Sequence, residues 1–154
     1  AMFLRVTSRL GIVAVIAALA ALPLAGALLS QYVFGYAPCK LCLLQRYPYA
    51  MMLLWACVVY ATSVNMRIAV LLAALLAQIS GGIGLFHAGV EAGWWAYESS
   101  CTSGLNPLQT LEDLKAALNN APLVACDQPM LVVAGLSMAA WNVVYAFICA
   151  LLLW

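Results

Sequence analysis

The sequence predicts an all-α integral membrane protein, a bundle of four membrane-spanning helices in one domain (1–154). Of the 154 residues, 68% are hydrophobic and only 7% are charged, and a water-soluble domain could not cover so much apolar surface. The apolar residues also fall into four stretches, each near the roughly 20 residues that a helix needs to cross a bilayer core. The net charge of +1 offers no basic surface for nucleic acid.

We predict the four helices at residues 11–29, 41–63, 68–87 and 130–154. Lipid provides no hydrogen-bond partners, so each spanning segment must satisfy its backbone polar groups internally, as a helix does. The first stretch is interrupted only by Pro23. It is long for the apolar region of a cleavable signal peptide, and cleavage would leave an odd three-helix remnant, so we expect it to stay as the first helix.

The connections between the predicted helices are unequal in length. The link at 64–67 is tight, whereas the loops at 30–40 and 88–129 are long and contain most of the Pro, Asn and acidic residues. In an up-and-down bundle the first and third connections share a side. The sequence therefore places four cysteines on one face of the membrane: Cys39, Cys42, Cys101 and Cys126.

The second long loop contains a short helical pattern of its own. Asn106-Pro107 is typical of a helix start, and a stripe of leucines follows it: Leu108, Leu111, Leu114 and Leu118. This pattern predicts a short amphipathic helix. It would either lie on the membrane surface or pack on the end of the bundle.

The charges indicate an orientation only weakly, because Lys and Arg divide evenly between the two faces. One face has Arg5, Arg9 and Arg67, and the other has Lys40, Arg46 and Lys115. If Arg46 belongs to its helix rather than to the loop, the positive-inside rule places both termini in the cytoplasm. The cysteines would then face an oxidising compartment such as the periplasm, where disulfides persist.

The C-x-x-C pair, Cys39 and Cys42, is expected in the first turn of the second helix, after Pro38. Free backbone N–H groups and the positive end of the helix dipole stabilise a thiolate there. Arg46 follows Cys42 by one helical turn on the same face and can hold negative charge beside that sulfur. This arrangement predicts redox chemistry at the pair.

Other interpretations of the cysteines remain. A four-thiolate zinc site normally uses two close pairs, but Cys101 and Cys126 are far apart in the sequence, and the only histidine, His87, ends the third helix. We therefore predict no metal. Purely structural disulfides, in a non-enzymatic four-span adaptor with stapled loops, are the alternative function. A functional role for His87 is expected because ionisable residues are rare at membrane depth.

Several motifs together resemble the DsbB family of quinone-dependent disulfide-bond formation proteins. They are Gln31-Tyr32, Pro38–Cys42 running into Gln45–Tyr49, His87–Glu91 with Gly93–Trp95, and Gly135–Met138 with Trp141-Asn142. The resemblance spans nearly the whole chain, with the motifs in family order. It implies a protein of the bacterial inner membrane that reoxidises a DsbA-like periplasmic thiol oxidase. The electrons would pass to a membrane quinone, with ubiquinone favoured over menaquinone.

The resemblance also implies roles for individual residues. Cys101 would form a mixed disulfide with the partner, and Cys126 would resolve it toward Cys39. Cys42 would face the quinone, with Arg46 beside the ring.

His87 would be the second quinone-binding residue implied by the resemblance. A vitamin K epoxide reductase-like enzyme also combines a C-x-x-C with a pair of loop cysteines, but there the C-x-x-C follows the loop pair. Here it precedes that pair, which favours the DsbB-like order.

Overall fold

Four α-helices and a short hairpin make up residues 8–96, 126, 129 and 131–153, which are the residues that the structure, a computed structural model, describes. The helices are α1 (Arg9–Tyr32), α2 (Lys40–Ala61), α3 (Met66–Glu91) and α4 (Met138–Leu153), and an antiparallel pair, β1 (Val132–Val133) and β2 (Leu136–Ser137), precedes α4. The first three helices are long and apolar enough to cross a membrane, and α4 is apolar but shorter. The predicted class, a helical membrane bundle, is confirmed.

Neighbouring helices pack in chain order, α1 on α2, α2 on α3 and α3 on α4. A core cluster joins all four helices through Ile16, Met52, Ala77 and Cys149. Residues of the α3 face toward α4 are small, which lets two helices approach closely in lipid. A Cβ atom added at Gly81 would lie only 2.6 Å from the Cβ of Ala146.

The first and last helices are joined through a proline. Pro23 lies inside α1, and because proline has no N–H, the carbonyl of Leu19 one turn earlier loses its helical partner. The hydroxyl of Tyr145 in α4 donates to that carbonyl at 2.6 Å. At the start of α1, Arg9 donates to the carbonyl of Val59 in α2 at 2.7 Å.

The start of the fourth helix differs from the prediction of 130–154, because the helix begins at Met138. Both residues of the preceding turn, Ala134 and Gly135, have positive φ, 53° and 80°, as a two-residue hairpin loop requires. Ser137 then caps the helix, and its hydroxyl accepts from the backbone N–H three residues on at 3.2 Å. Hydrophobicity alone cannot separate this hairpin from the helix that follows.

The other helix ends lie close to the predicted ones but extend toward the cysteines. α1 runs three residues beyond the predicted 11–29, and α3 runs from Met66 to Glu91 rather than over 68–87. His87 and Glu91 are therefore one turn apart on the same face of one helix. The predicted amphipathic helix of the 88–129 loop lies outside the described residues.

Candidate functional site

The C-x-x-C pair occupies the beginning of α2. Cys39 is the N-cap residue, and its Sγ accepts a hydrogen bond from the backbone N–H of Cys42 at 3.1 Å. A thiol replaces the usual Ser or Asp oxygen of a helix cap here. The sulfur of Cys39 thus lies beside the free N–H groups of the first turn, which stabilise negative charge on sulfur.

His87, only 3% exposed, reaches this pair from the end of α3. Its Nε2 lies 3.5 Å from Cys39 Sγ and also 3.5 Å from a carboxylate oxygen of Glu91. Its Nδ1 lies 2.9 Å from Nε2 of Gln45. The imidazole therefore joins a thiol on one side to a buried amide on the other.

Behind His87, buried polar groups from three helices form one network. Asn142 Nδ2 donates to Gln45 Oε1 at 3.0 Å and to the Ser80 carbonyl at 3.1 Å. Tyr49 donates its hydroxyl proton to Asn142 Oδ1 at 2.8 Å, and Ser80 Oγ donates to the Gln45 carbonyl at 2.9 Å. Among the described residues, no buried side-chain nitrogen or oxygen lacks a partner.

Of the loop cysteines, Cys126 is 1% exposed. It packs with Cys39, Leu41 and Val90, and Cys42 borders this cluster. The structure thus brings together three of the four cysteines singled out in the sequence, and the fourth, Cys101, lies outside the described residues.

The two remaining cysteines of the described ranges are separate from this cluster. Cys149 is buried in the core between the helices, where free cysteine behaves as a small hydrophobe. Cys57 is exposed on α2. Neither lines the cavity next to the C-x-x-C pair.

That cavity lies next to the pair and has a volume of about 430 Å³. Its walls are mainly apolar and come from α1, α2 and α4, including Leu22, Pro23, Ala27, Met138, Trp141 and Tyr145. Cys42, Arg46 and His87 also line it. Arg46 is held by α1, because it donates to Gln31 Oε1 at 2.6 Å and to the Ala27 carbonyl at 3.3 Å.

The two thiols influence each other. A hydrogen bond with the Cys42 thiol and then burial raise the pKa of Cys39 above its usual value, although the backbone N–H of Cys42 acts in the opposite direction. The negative charge of Cys42 adds to this rise. The reduced pair therefore holds on to one of its protons.

The site also has donors that could hold a metal. The ligand atoms of Cys39, Cys42 and His87 lie within 4.8 Å of one another, and ligands around a tetrahedral zinc lie roughly 3.5 Å apart. The sequence predicts no metal, because Cys101 and Cys126 are far apart and the single histidine, His87, ends the third helix. In the fold His87 lies beside the pair. Whether its Nε2 carries a proton therefore decides whether it can bind a metal.

Sequence reasoning singled out Arg46 and His87 but missed the two amides. Gln45 and Asn142 occur in the motifs that carried the family resemblance, and a polar side chain inside an apolar helix was the available signal. Their mutual contact could not be read from the sequence, since 97 positions separate them.

Comparisons with known proteins identify one family for the chain. The family model for disulfide bond formation protein DsbB matches residues 8–154. A disulfide bond formation protein B of Herminiimonas arsenicoxydans is 31% identical over 84% of this chain and 83% of its own length. A disulfide bond formation protein B 1 of Pseudomonas fluorescens is 31% identical over 83% and 76%. An uncharacterised protein of Rickettsia prowazekii is 27% identical over 77% and 70%.

No solved structure matches the chain. The family match nevertheless covers every described helix and both halves of the thiol cluster. The similarity to two disulfide bond formation proteins extends over most of their length. The chain therefore belongs to the DsbB family of membrane proteins for disulfide bond formation.

Proposed function

We propose that this protein reoxidises a DsbA-type dithiol partner and passes the electrons to a membrane quinone. The observation that carries the proposal is the position of the Cys39–Cys42 pair. Cys39 packs against Cys126, and both cysteines of the pair line an apolar cavity, which Arg46 also lines. Electrons entering through the Cys101/Cys126 pair would leave through Cys42.

The electron balance of the relay requires an acceptor. Each new disulfide in the Cys39–Cys42 pair releases two electrons and two protons. A DsbA-type partner lies near −120 mV, whereas ordinary structural disulfides lie below about −300 mV, a gap of roughly 8 kcal/mol against recharging it. A passive loop disulfide could not drive this step, so a strongly oxidising carrier must take the electrons.

The cavity beside Cys42 suits a quinone headgroup. Its volume of about 430 Å³ falls in the usual range for small-molecule sites, which combine apolar walls with a few polar groups. A bound quinone would accept two electrons and two protons. Arg46 would donate hydrogen bonds to a quinone oxygen, since its guanidinium has five N–H groups and the α1 contacts use only two. The proposal favours ubiquinone over menaquinone.

We place the protein in the bacterial inner membrane with both termini in the cytoplasm and the cysteines on the periplasmic side. Arg9 and Arg67 lie at the end of the bundle opposite to the thiols, at the starts of α1 and α3. Arg46 belongs to α2 and is bonded to α1, so it does not count as a loop charge. Without Arg46, more Lys and Arg residues lie on the side of the termini than on the side of the cysteines, as the positive-inside rule requires.

The proposal is tested by supplying a reduced DsbA-type protein and a ubiquinone analogue to the purified protein. We expect loss of quinone absorbance and of partner thiols in a one-to-two ratio, one quinone for each pair of thiols. Consumption of partner thiols without quinone reduction would exclude quinone as the acceptor, and no turnover at all with a folded protein would leave a structural role for the disulfides instead.

Arg46→Ala is expected to weaken the use of quinone. A charge-assisted hydrogen bond contributes about 1.5–3 kcal/mol, so the apparent KM for the ubiquinone analogue should rise by about tenfold or more, with the KM for the partner little changed. Lys40→Ala is the matched control, because Lys40 is exposed at the same end of α2 and does not line the cavity. An unchanged quinone KM in Arg46→Ala would remove Arg46 from the binding site.

A further inference from the structure

We propose that two side-chain amides hold His87 in the tautomer with its proton on Nε2, so that the ring donates a hydrogen bond to Cys39 Sγ. The amides are those of Gln45 and Asn142, and they are anchored on the backbone carbonyl of Ser80. Three contacts, each called a link below, fix the tautomer in turn, starting from a group that can only accept a hydrogen bond.

The first link orients Asn142. A backbone carbonyl can only accept, so the Asn142 atom that lies 3.1 Å from the Ser80 carbonyl is the NH₂ nitrogen. Ser80 Oγ, also 3.1 Å from that nitrogen, is an acceptor too, because its proton goes to the Gln45 carbonyl. The other end of the amide, Oδ1, accepts from the hydroxyl of Tyr49. A flipped Asn142 would face two acceptors with its oxygen.

The second link orients Gln45. Because Asn142 presents its NH₂ group, the Gln45 atom 3.0 Å away must be the acceptor Oε1. The remaining Nε2 of Gln45 then faces His87 Nδ1 at 2.9 Å. An NH₂ group only donates, so Nδ1 must accept. A neutral imidazole has one donor and one acceptor nitrogen, which leaves the proton on Nε2.

The third link is the contact between His87 and the thiol pair. Nε2 lies 3.5 Å from Cys39 Sγ, an ordinary hydrogen-bond length for an atom as large as sulfur. The same 3.5 Å to the Glu91 carboxylate is long for N–H···O. An N–H group at Nε2 is therefore favoured, because a lone pair there would be repelled by the lone pairs of the sulfur and the carboxylate.

This arrangement gives the two thiols different surroundings. Cys39 Sγ receives the backbone N–H of Cys42 and the Nε2–H of His87, and donors to a sulfur stabilise negative charge on it. Cys42 lies beside Arg46, and both line the cavity. His87 does not act as the base for Cys39, because its only lone pair already accepts from Gln45.

His87 is in this sense a donor to Cys39, and Gln45 and Asn142 are positioning residues that act through it. The assignment of the tautomer needs only the hydrogen bonds above. Its importance for electron transfer rests on the proposed function.

The inference makes a prediction for Gln45→Glu. A carboxylate only accepts, so it would draw the proton to Nδ1 and leave an Nε2 lone pair facing Cys39 and Cys42. A carboxylate bonded to Nδ1–H while Nε2 faces thiolates is the arrangement in which proteins bind zinc. The native amide therefore also protects a compact set of zinc ligands from capturing the metal.

Nitrogen NMR of the reduced, full-length protein in detergent tests the tautomer directly. The chain has a single histidine, so ¹⁵N-histidine labelling reports on His87 alone. We expect a protonated Nε2 and an unprotonated Nδ1 in the native protein, and the reverse in Gln45→Glu. A native protein with its proton on Nδ1 would overturn the proposal without any variant, and so would a Gln45→Glu protein that keeps the native pattern.

Gln78→Glu is the matched control for the substitution. Gln78 lies on α3 and donates to the Ala146 carbonyl at 2.9 Å, outside the chain of hydrogen bonds that reaches His87. The same chemical change there should leave the proton on Nε2. If Gln78→Glu shifted the tautomer as well, the effect of Gln45→Glu would be general and the proposed route through the amides would be excluded.

Zinc binding gives a second readout. With Zn²⁺ as the probe and the cysteines reduced, Gln45→Glu is expected to bind zinc about 10–100-fold more tightly than the native protein and Gln78→Glu, as changes in hydrogen bonding to a ligand histidine typically do. Equal affinities in all three would contradict the inference. Neither readout requires turnover, so a failed quinone assay would refute the proposed function and leave the tautomer assignment standing.

Discussion

Replacing any one of the four relay cysteines with serine is expected to reduce partner-dependent quinone reduction to the background rate. Serine preserves the shape of the side chain but cannot form or exchange a disulfide. Without Cys39 or Cys42, electrons cannot pass to the quinone. Without Cys126, which packs against Cys39, they cannot pass between the two cysteine pairs. Without Cys101, they cannot enter from the partner. The measurement is the initial rate with a reduced DsbA-type partner and a ubiquinone analogue.

Cys57→Ser is the control for this series. Cys57 is exposed on α2 and does not line the cavity, so its substitution should leave the rate unchanged. Full turnover by the Cys101→Ser protein would remove the loop pair from the relay. Full turnover by Cys39→Ser or Cys42→Ser would exclude the whole proposed route.

The second large effect concerns stability rather than activity. Gly81→Ala is expected to destabilise the bundle by about 1–3 kcal/mol, the usual cost of overpacking, because the added Cβ would lie 2.6 Å from the Cβ of Ala146. Both atoms are fixed to helix backbones, so α3 and α4 must move apart. Thermal unfolding of the purified protein in detergent would measure the difference.

The neighbouring glycine provides the matched comparison. A Cβ at Gly82 meets nothing within 4 Å in the described part of the chain, so Gly82→Ala should change only helix propensity and stabilise the protein by about 0.5–1 kcal/mol. Opposite signs at adjacent positions would show that the α3–α4 contact, not helix formation, determines the cost. Equal effects of the two substitutions would disprove the close contact.

The sequence was sufficient for the bundle because its signals are local and strong. Long apolar stretches predict spanning helices whatever their partners are. Because two spans separate the first connection from the third, these two connections share a face. Cys39, Cys42 and Cys126 are therefore predicted to lie together without any knowledge of their contacts. It could not locate the hairpin before α4, since Val132 and Val133 suit a strand or a buried helix equally well.

The environment of His87 could not be predicted from the sequence, for a different reason. Its position near the thiols follows from the helix order, but its hydrogen-bonding state depends on Gln45 and Asn142. Those two side chains meet only because α2 and α4 both pack on α3. The orientation of an amide depends on such contacts, and no periodicity or spacing in the sequence encodes it.

The proline in α1 has a consequence for how the sequence can vary. Pro23 frees the carbonyl of Leu19, and Tyr145 has become its partner. A residue with an N–H at position 23 would compete with the phenol for that carbonyl, whereas loss of the phenol alone would leave the carbonyl unbonded. The two positions, distant along the chain, thus share one hydrogen-bond acceptor, and evolution is expected to have changed them together rather than singly.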